Sequence, residues 1–352
     1  MLTSVVQGFI LVPLYLKYIP IEVYGVWLAS GNLLVWITTV DPGLTTVLQQ
    51  QVALYYGNNN LLKIGKIISS GLIMGAVVSL ICFLIGIIVS NHLPNWLSLS
   101  SNVDAQLLIN AFQISVVGTS LMLFSFSIGS MNQGLLGSLA PGLFGSLINI
   151  SAIGLTIFFL LHGQGLNALS YSHLFSGVSY TAFQLFYLIY RTRSEKISLI
   201  FSLNEIFKLL KKLSFTFTSR ISGIISNNID LIIISRFLGP DSVTSYALTK
   251  RSIDLSREFV IQPVVAFMPA LSHLYGENHR LKTRKVVLRL IFFMTWGLFL
   301  IIGGVLTFNS NFVKLWVGNN LYIGNFLNSF FCISAFLVII TQSSSYFCVS
   351  LG

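Results

Sequence analysis

The sequence predicts an all-α protein, a polytopic transmembrane helix bundle of about ten spans in two pseudo-symmetric lobes. Three observations predict it. Of the 352 residues, 54% are hydrophobic and 9% charged, with mean hydropathy +0.82. A soluble domain carries about 25% charged residues, so composition excludes that class. Apolar runs near 20 residues recur along the chain, which is the length a helix needs to cross a bilayer, whereas a β-barrel would show short alternating segments. The pattern also repeats internally.

In chain order, the first span is Leu2 to Ile19, short and with Met1 almost inside it. The second starts at Tyr24, meets a break at Asp41-Pro42-Gly43 and continues toward Leu54. Pro42 removes a backbone donor there, and Asp41 is placed to cap the segment that follows. Next come Ile64 to Val89, Ala105 to Met131, Leu139 to Leu161 and Leu166 to Tyr190. The fifth opens with Gly137, Ser138, Gly142, Gly145 and Ser146, small residues that let helix backbones approach. Arg191 to Lys212 is the longest polar connection, and its Leu203–Leu213 part reads as a short amphipathic helix on the membrane surface. Four further spans follow: Leu213–Leu238, Ser242–Leu271, Val286–Phe308 and Leu321–Val349. The expected lobes are therefore 1–190 with six helices and 213–352 with four, joined by a basic linker at 191–212.

Charge sets the orientation. With the N-terminus cytoplasmic, 13 of the 20 Lys and Arg residues fall in cytoplasmic connections, and only Lys17, Arg236 and Lys314 fall opposite. The net charge of +10 follows from this bias, and anionic lipid accounts for the Arg280–Arg289 cluster without a nucleic-acid partner.

The repeat has a fixed register. Lys17-Tyr18-Ile19 and Glu22 match Arg236-Phe237-Leu238 and Asp241, an offset of 241 − 22 = 219. Tyr56-Gly57, Asn59, Lys63 and Lys66 match Tyr275-Gly276, Asn278, Lys282 and Lys285 at the same offset, 275 − 56 = 219. After a one-residue slip, Ser90-Asn91 and Trp96 match Ser310-Asn311 and Trp316, since 316 − 96 = 220. Six spans separate the copies, so both share one orientation and an axis along the membrane normal relates the lobes. The second copy stops at Gly352 after four spans, so the chain reads as C-terminally incomplete and its first span as clipped.

Function is carried by charges inside apolar segments. Arg220 and Asp230 interrupt one span, and Lys250, Arg251, Asp254, Arg257 and Glu258 interrupt the next. Stepped around a helix, the last five fall at roughly 0°, 100°, 40°, −20° and 80°, on one face. An ionisable group facing lipid costs at least ~2.5 kcal/mol, so seven of them require a shielded interior. Arg220, Lys250, Arg251 and Arg257 suit an anionic ligand, Arg by bidentate bonding and Lys as a point charge. Alternatively the seven charges pair among themselves. Asp230, Asp254 and Glu258 would couple transport to H+ or Na+, or serve as permanently ionised partners of the bases. Enzyme chemistry has little support: the five histidines are scattered, and no paired-histidine motif, phosphate loop or nucleophile elbow occurs. His173, inside the sixth span, is a packing residue or a proton relay. Cys82, Cys332 and Cys348 have no metal spacing and read as packing residues, so neither metal nor cofactor is expected.

Leu11, Pro13-Leu14 and Tyr18, then Glu22-Val23-Tyr24-Gly25, then Asp41-Pro42-Gly43 resemble the opening of the bacterial polysaccharide (O-antigen, Wzx-type) flippases. These belong to the multidrug/oligosaccharidyl-lipid/polysaccharide exporter superfamily. Asn228, Asp230-Leu231-Ile232-Ile233-Ile234-Ser235-Arg236 and Phe237-Leu238-Gly239-Pro240 resemble the seventh span and turn of the same family. Proline at 42 replaces a more usual apolar residue, and the two final spans of the family are missing. The resemblance implies a MATE-like bundle of two lobes around a central cavity open alternately to cytoplasm and periplasm. It implies as cargo an undecaprenyl-diphosphate-linked oligosaccharide repeat unit, with membrane lipids, a polysaccharide polymerase and chain-length proteins as partners, in the bacterial inner membrane. A multidrug or cation antiporter and a lipid II flippase are the alternatives within the superfamily. A cationic cargo calls for an acidic or aromatic cavity, and four bases against three acids favour an anion. A membrane polymerase or ligase would need a larger external loop than any present.

Overall fold

The computed structural model describes residues 11–37, 41, 43–97, 104–137, 139–211, 213, 229–276 and 280–351. Everything regular among them is helical. The helices are α1 (Ile21–Ile37), α2 (Leu44–Gly57), α3 (Leu61–Leu97), α4 (Ala105–Gly134), α5 (Leu139–Leu161) and α6 (Asn167–Ser194). Then follow α7 (Asp230–Leu238), α8 (Pro240–Gly276), α9 (Arg280–Val317) and α10 (Asn325–Leu351). Residues 11–18 are helical too, and so is a linker helix at 203–211. Among the described residues, five helices are long and apolar enough to cross a membrane: α3, α4, α5, α9 and α10. The protein is a multi-pass membrane protein.

Helix ends carry the sequence repeat into the fold. α1 starts at 21 and α8 at 240, α2 ends at 57 and α8 at 276, and α3 starts at 61 and α9 at 280, each 219 apart. The slip is visible as well. α3 ends at 97 and α9 at 317, and α4 starts at 105 and α10 at 325, now 220 apart. One difference stands out. The first copy is broken between α1 and α2, whereas α8 runs unbroken for 37 residues through the equivalent position, Val260. The break follows from local chemistry. Asp41 Oδ1 accepts from the backbone N–H of Gly43 at 3.1 Å and of Leu44 at 2.7 Å, and Gly43 takes the left-handed φ of 101° that a side chain would resist. Pro42 lies outside the described residues.

The chain forms two compact units, one up to Val243 and one from Thr244 onward. In the first, two apolar cores stack along the bundle. One joins α1 to the C-terminal half of α3 and the N-terminal half of α4, around Val26, Leu93 and Phe112. The other joins α2 to the opposite halves of α3 and α4, around Leu48, Ile64 and Met131. α7 is held on the first core: Ser235 donates to Leu97 O at 2.9 Å and Arg236 to Asn95 O at 2.8 Å. The backbones of α4 and α6 approach closely, so that a Cβ on Gly177 would lie 2.5 Å from Gly118 O. The small residues that open α5 do something else. Gly145 accepts a hydrogen bond from Tyr180 at 3.0 Å through its carbonyl, while Gly142 faces open space and Ser138 lies outside the described residues.

The linker is not a free surface helix. Its Leu209 and Leu213 are buried in the second core, and Lys63 Nζ donates to Glu205 at 2.7 Å. Gly65 makes this docking possible, because a Cβ there would lie 1.9 Å from the carbonyl oxygen of Ser198. In the second unit, α8, α9 and α10 pack through Val260, Val264, Met294 and Ile339, and through Ile253, Val305 and Phe331. The outward side of α9 presents Phe292, Phe293, Trp296, Phe299 and Leu300, as a lipid-facing helix should.

Candidate functional site

The five charges of the Ser242–Leu271 span lie on α8, which brings Lys250, Arg251, Asp254, Arg257 and Glu258 together on one helix. Arg251 and Glu258 are exposed, and the other three are partly buried. Lys250 Nζ sits 5.4 Å from the centre of the Tyr246 ring, a cation–π contact, and that ring meets Phe331 of α10 edge-on at 4.9 Å. Arg257 lies 3.8 Å from Asp254, too far for a hydrogen bond, and its Nε is buried without an acceptor among the described residues. Asp230 is elsewhere. It opens α7 in the first unit and accepts from the N–H of Leu231 at 3.0 Å. Arg220 lies outside the described residues.

What holds α8 in rotation is a polar cluster that hydropathy does not single out. Ser252 donates to Asn309 Oδ1 at 2.5 Å, Asn309 Nδ2 donates to Asn328 Oδ1 at 2.7 Å and to Thr249 O at 3.1 Å, and Asn328 reaches Val305 O at 3.4 Å. Thr249 in turn accepts from the N–H of Ile323 at 3.2 Å. Asn309, Asn328 and Thr249 are buried, so this network locks α8, α9 and α10 in one register where no water competes. Thr249 and Ser252 flank Lys250 and Arg251, and the lock therefore aims the cations. Two asparagines within apolar runs were the available signal.

A second polar site lies wholly in the first unit. A cavity of about 600 Å³ opens among α2, α4, α5 and α6, lined by Asp41, Thr45, Gln49, Gln133, Tyr180 and Gln184 among others. Asp41 is its one acidic group among the described lining residues. Gln184 is set by Asn132, whose Nδ2 donates to Gln184 Oε1 at 2.7 Å and to Gln184 O at 3.2 Å. Of this site only Asp41 was legible in the sequence. Its amides and hydroxyls come from three helices far apart in the chain, and each alone is ordinary. A smaller cavity of about 290 Å³ is lined by Tyr15, Trp27, Ser115 and His173, and His173 Nε2 lies 3.0 Å from Thr119 Oγ1. No group of three or more metal-ligating side chains gathers among the described residues.

The polysaccharide biosynthesis protein family matches residues 142–321, just over half of the chain. Among solved structures, a multidrug resistance MATE family transporter of the multidrug/oligosaccharidyl-lipid/polysaccharide superfamily, in an inward-facing conformation, superposes with TM-score 0.66 at 13% identity. The match covers 96% of this chain and 82% of that one. A MATE protein in complex with Br-NRF gives TM-score 0.45 at 16% identity over 98% of this chain and 92% of that one. None of the curated proteins compared with the chain matches it. The first structural likeness shows a MATE-like fold.

Proposed function

We propose that this chain, which belongs to the polysaccharide biosynthesis protein family, is a flippase. Its cargo would be an undecaprenyl-diphosphate-linked oligosaccharide repeat unit, moved across the bacterial inner membrane by alternating access for surface polysaccharide synthesis. Membership of that family and the MATE-like fold support a transporter of this superfamily, and the cargo is our inference. The observation that carries it is Arg257, a partly buried guanidinium with a loose 3.8 Å ion pair and a buried Nε that lacks an acceptor among the described residues. Such a donor set fits a phosphate group, two of whose oxygens take two parallel N–H bonds from one guanidinium. Lys250 and Arg251 stand about two turns earlier on α8, so the stretch 250–258 offers three bases against Asp254 and Glu258. A net positive wall favours an anionic diphosphate over a cationic drug.

The first-unit cavity supports the same reading from the sugar side. Amides, hydroxyls and a tyrosine ring are the groups that match a carbohydrate's own hydroxyls and apolar faces. Asp230, Asp254 and Glu258 remain the proposed sites for a coupling H+ or Na+. With the N-terminus cytoplasmic, the linker and the start of α9 face the cytoplasm, where a polymerase and chain-length proteins would take no part until the cargo has crossed.

The test uses full-length protein in a strain that depends on it for surface polymer. Arg257→Ala should reduce polymer at least about tenfold with unchanged protein in the membrane fraction, and Arg257→Lys should restore only part of it. Normal polymer from the Arg257→Ala strain would remove the diphosphate from this reading.

A further inference from the structure

The docked linker helps to line a recess apart from the two sites described above. Between the linker helix, α2 and α3 lies a cavity of about 370 Å³ lined by Tyr55, Lys63, Ile67, Glu205, Lys208 and Lys211, among others. Glu205 is buried, and one of its carboxylate oxygens holds both Lys63 Nζ at 2.7 Å and Lys208 Nζ at 3.3 Å. Lys63 and Lys208 thus share one carboxylate, and Lys211 belongs to the same lining. Lys63 also lies 5.7 Å from the centre of the Tyr55 ring, which fixes its position from a second side. These bases are therefore not a solvated charge run. They converge on an open, partly apolar recess, with Lys208 still 56% exposed at its mouth.

The surroundings identify the occupant. While Leu209 and Leu213 bury one side of the linker helix, Leu203, Phe207 and Leu210 project from the other, at 59%, 68% and 48% exposure. Spaced at i, i+4 and i+7, they form one apolar stripe, continued upstream by the exposed Leu199 and Phe201. In a membrane protein, an apolar stripe beside a row of lysines marks the boundary between acyl chains and headgroups. A soluble anion would have no use for that stripe. A lipid uses both parts, its phosphate in the basic recess and its chains along Phe207 and Leu210.

We propose that this recess is a binding site for the headgroup of an anionic phospholipid, and that the lipid ties the linker to α2 and α3. The ligand class follows from the charge excess together with the adjoining apolar stripe.

The experiment is native mass spectrometry of the purified full-length protein, released from mixed micelles holding equal phosphatidylglycerol and phosphatidylcholine. The wild type should retain phosphatidylglycerol preferentially. The double variant Lys208→Gln/Lys211→Gln should lose about fivefold of that preference per lysine removed. Glu205→Gln carries the opposite sign, since it frees two lysines from their carboxylate and should raise retention. Thermal melting of each variant in the same micelles separates lipid loss from unfolding. Equal retention of the two lipids, or a fall in retention for Glu205→Gln as well as for the lysine variant, would overturn the proposal. So would displacement of the lipid by inorganic phosphate at equal concentration, which would make the recess a site for free anions.

Discussion

Glu22 and Asp241 hold equivalent places in the two sequence repeats, and in the fold the carboxylate of Glu22 bears on that of Asp241. Partial desolvation at the start of α8, and then this like charge, push the Asp241 carboxyl above its ordinary value of 3.8. Residues that match only by an offset of 219 thus act on one another directly.

That relationship has a pH signature. Because the folded state binds the Asp241 proton more tightly than the unfolded state, its contribution to stability is full below pH 3.8 and is lost as pH rises through the raised folded value. Glu22→Gln should shrink this part of the melting-temperature profile without abolishing it, because desolvation is the larger cause, and Asp241→Asn should remove it. Melting of the purified protein across pH 3 to 7 checks both, with about half a pH unit between points sufficient to resolve one titration.

Glu205 should behave in the opposite way. Burial opposes its charge, but hydrogen bonds from Lys63 and Lys208 outweigh that and hold its carboxyl below the ordinary 4.5. Its stabilisation is present above pH 4.5 and is lost as pH falls through the lowered folded value. Glu205→Ala removes the acceptor of two charged donors and should cost about 1.5–3 kcal/mol, read as a lower melting temperature at pH 7 and as faster proteolysis at 195–211.

Glycines separate into two kinds. At Gly65 a Cβ would sit 1.9 Å from a backbone oxygen that cannot swing aside, so Gly65→Ala should destabilise by about 1–3 kcal/mol or release the linker. At Gly142 the space is open, and Gly142→Ala should be neutral or stabilise by up to about 1 kcal/mol through helix propensity. The melting temperature should fall for Gly65→Ala and hold or rise for Gly142→Ala.

The asparagine pair behind the charged helix predicts strong coupling. Asn309→Ala leaves the buried Thr249 carbonyl and Asn328 amide, and the partly buried Ser252 hydroxyl, short of partners and should cost about 1–3 kcal/mol. Asn309→Leu with Asn328→Leu removes both members of the contact, so the double variant should cost less than the sum of the two single variants. If α8 is aimed by this lock, each single variant should also reduce transport without touching a charge.

Periodicity was enough for the repeat. Its register of 219, slipping to 220, reappears in the ends of α1, α2, α3 and the start of α4 against α8, α9 and α10, because helix boundaries follow caps and apolar lengths that are local. The break at Asp41 and Gly43 was legible for the same reason, since a carboxylate two and three residues before free N–H groups needs no distant partner. The five charges of α8 were legible as one face, because 3.6 residues per turn is a property of any helix.

Tertiary structure alone decided which polar residues meet. Gln49, Gln133 and Gln184 become one cavity, and Ser252, Asn309 and Asn328 one lock, only when helices distant in the chain pack side by side. An amphipathic pattern likewise says that a helix has an apolar side, not what covers it. The linker helix has two such sides, and the glycine at 65 lets one of them close on the bundle while the other, with Leu203, Phe207 and Leu210, stays exposed. Charge placement was written in the sequence, and charge environment came from packing, because neighbours across a fold are set by contacts that no local spacing encodes.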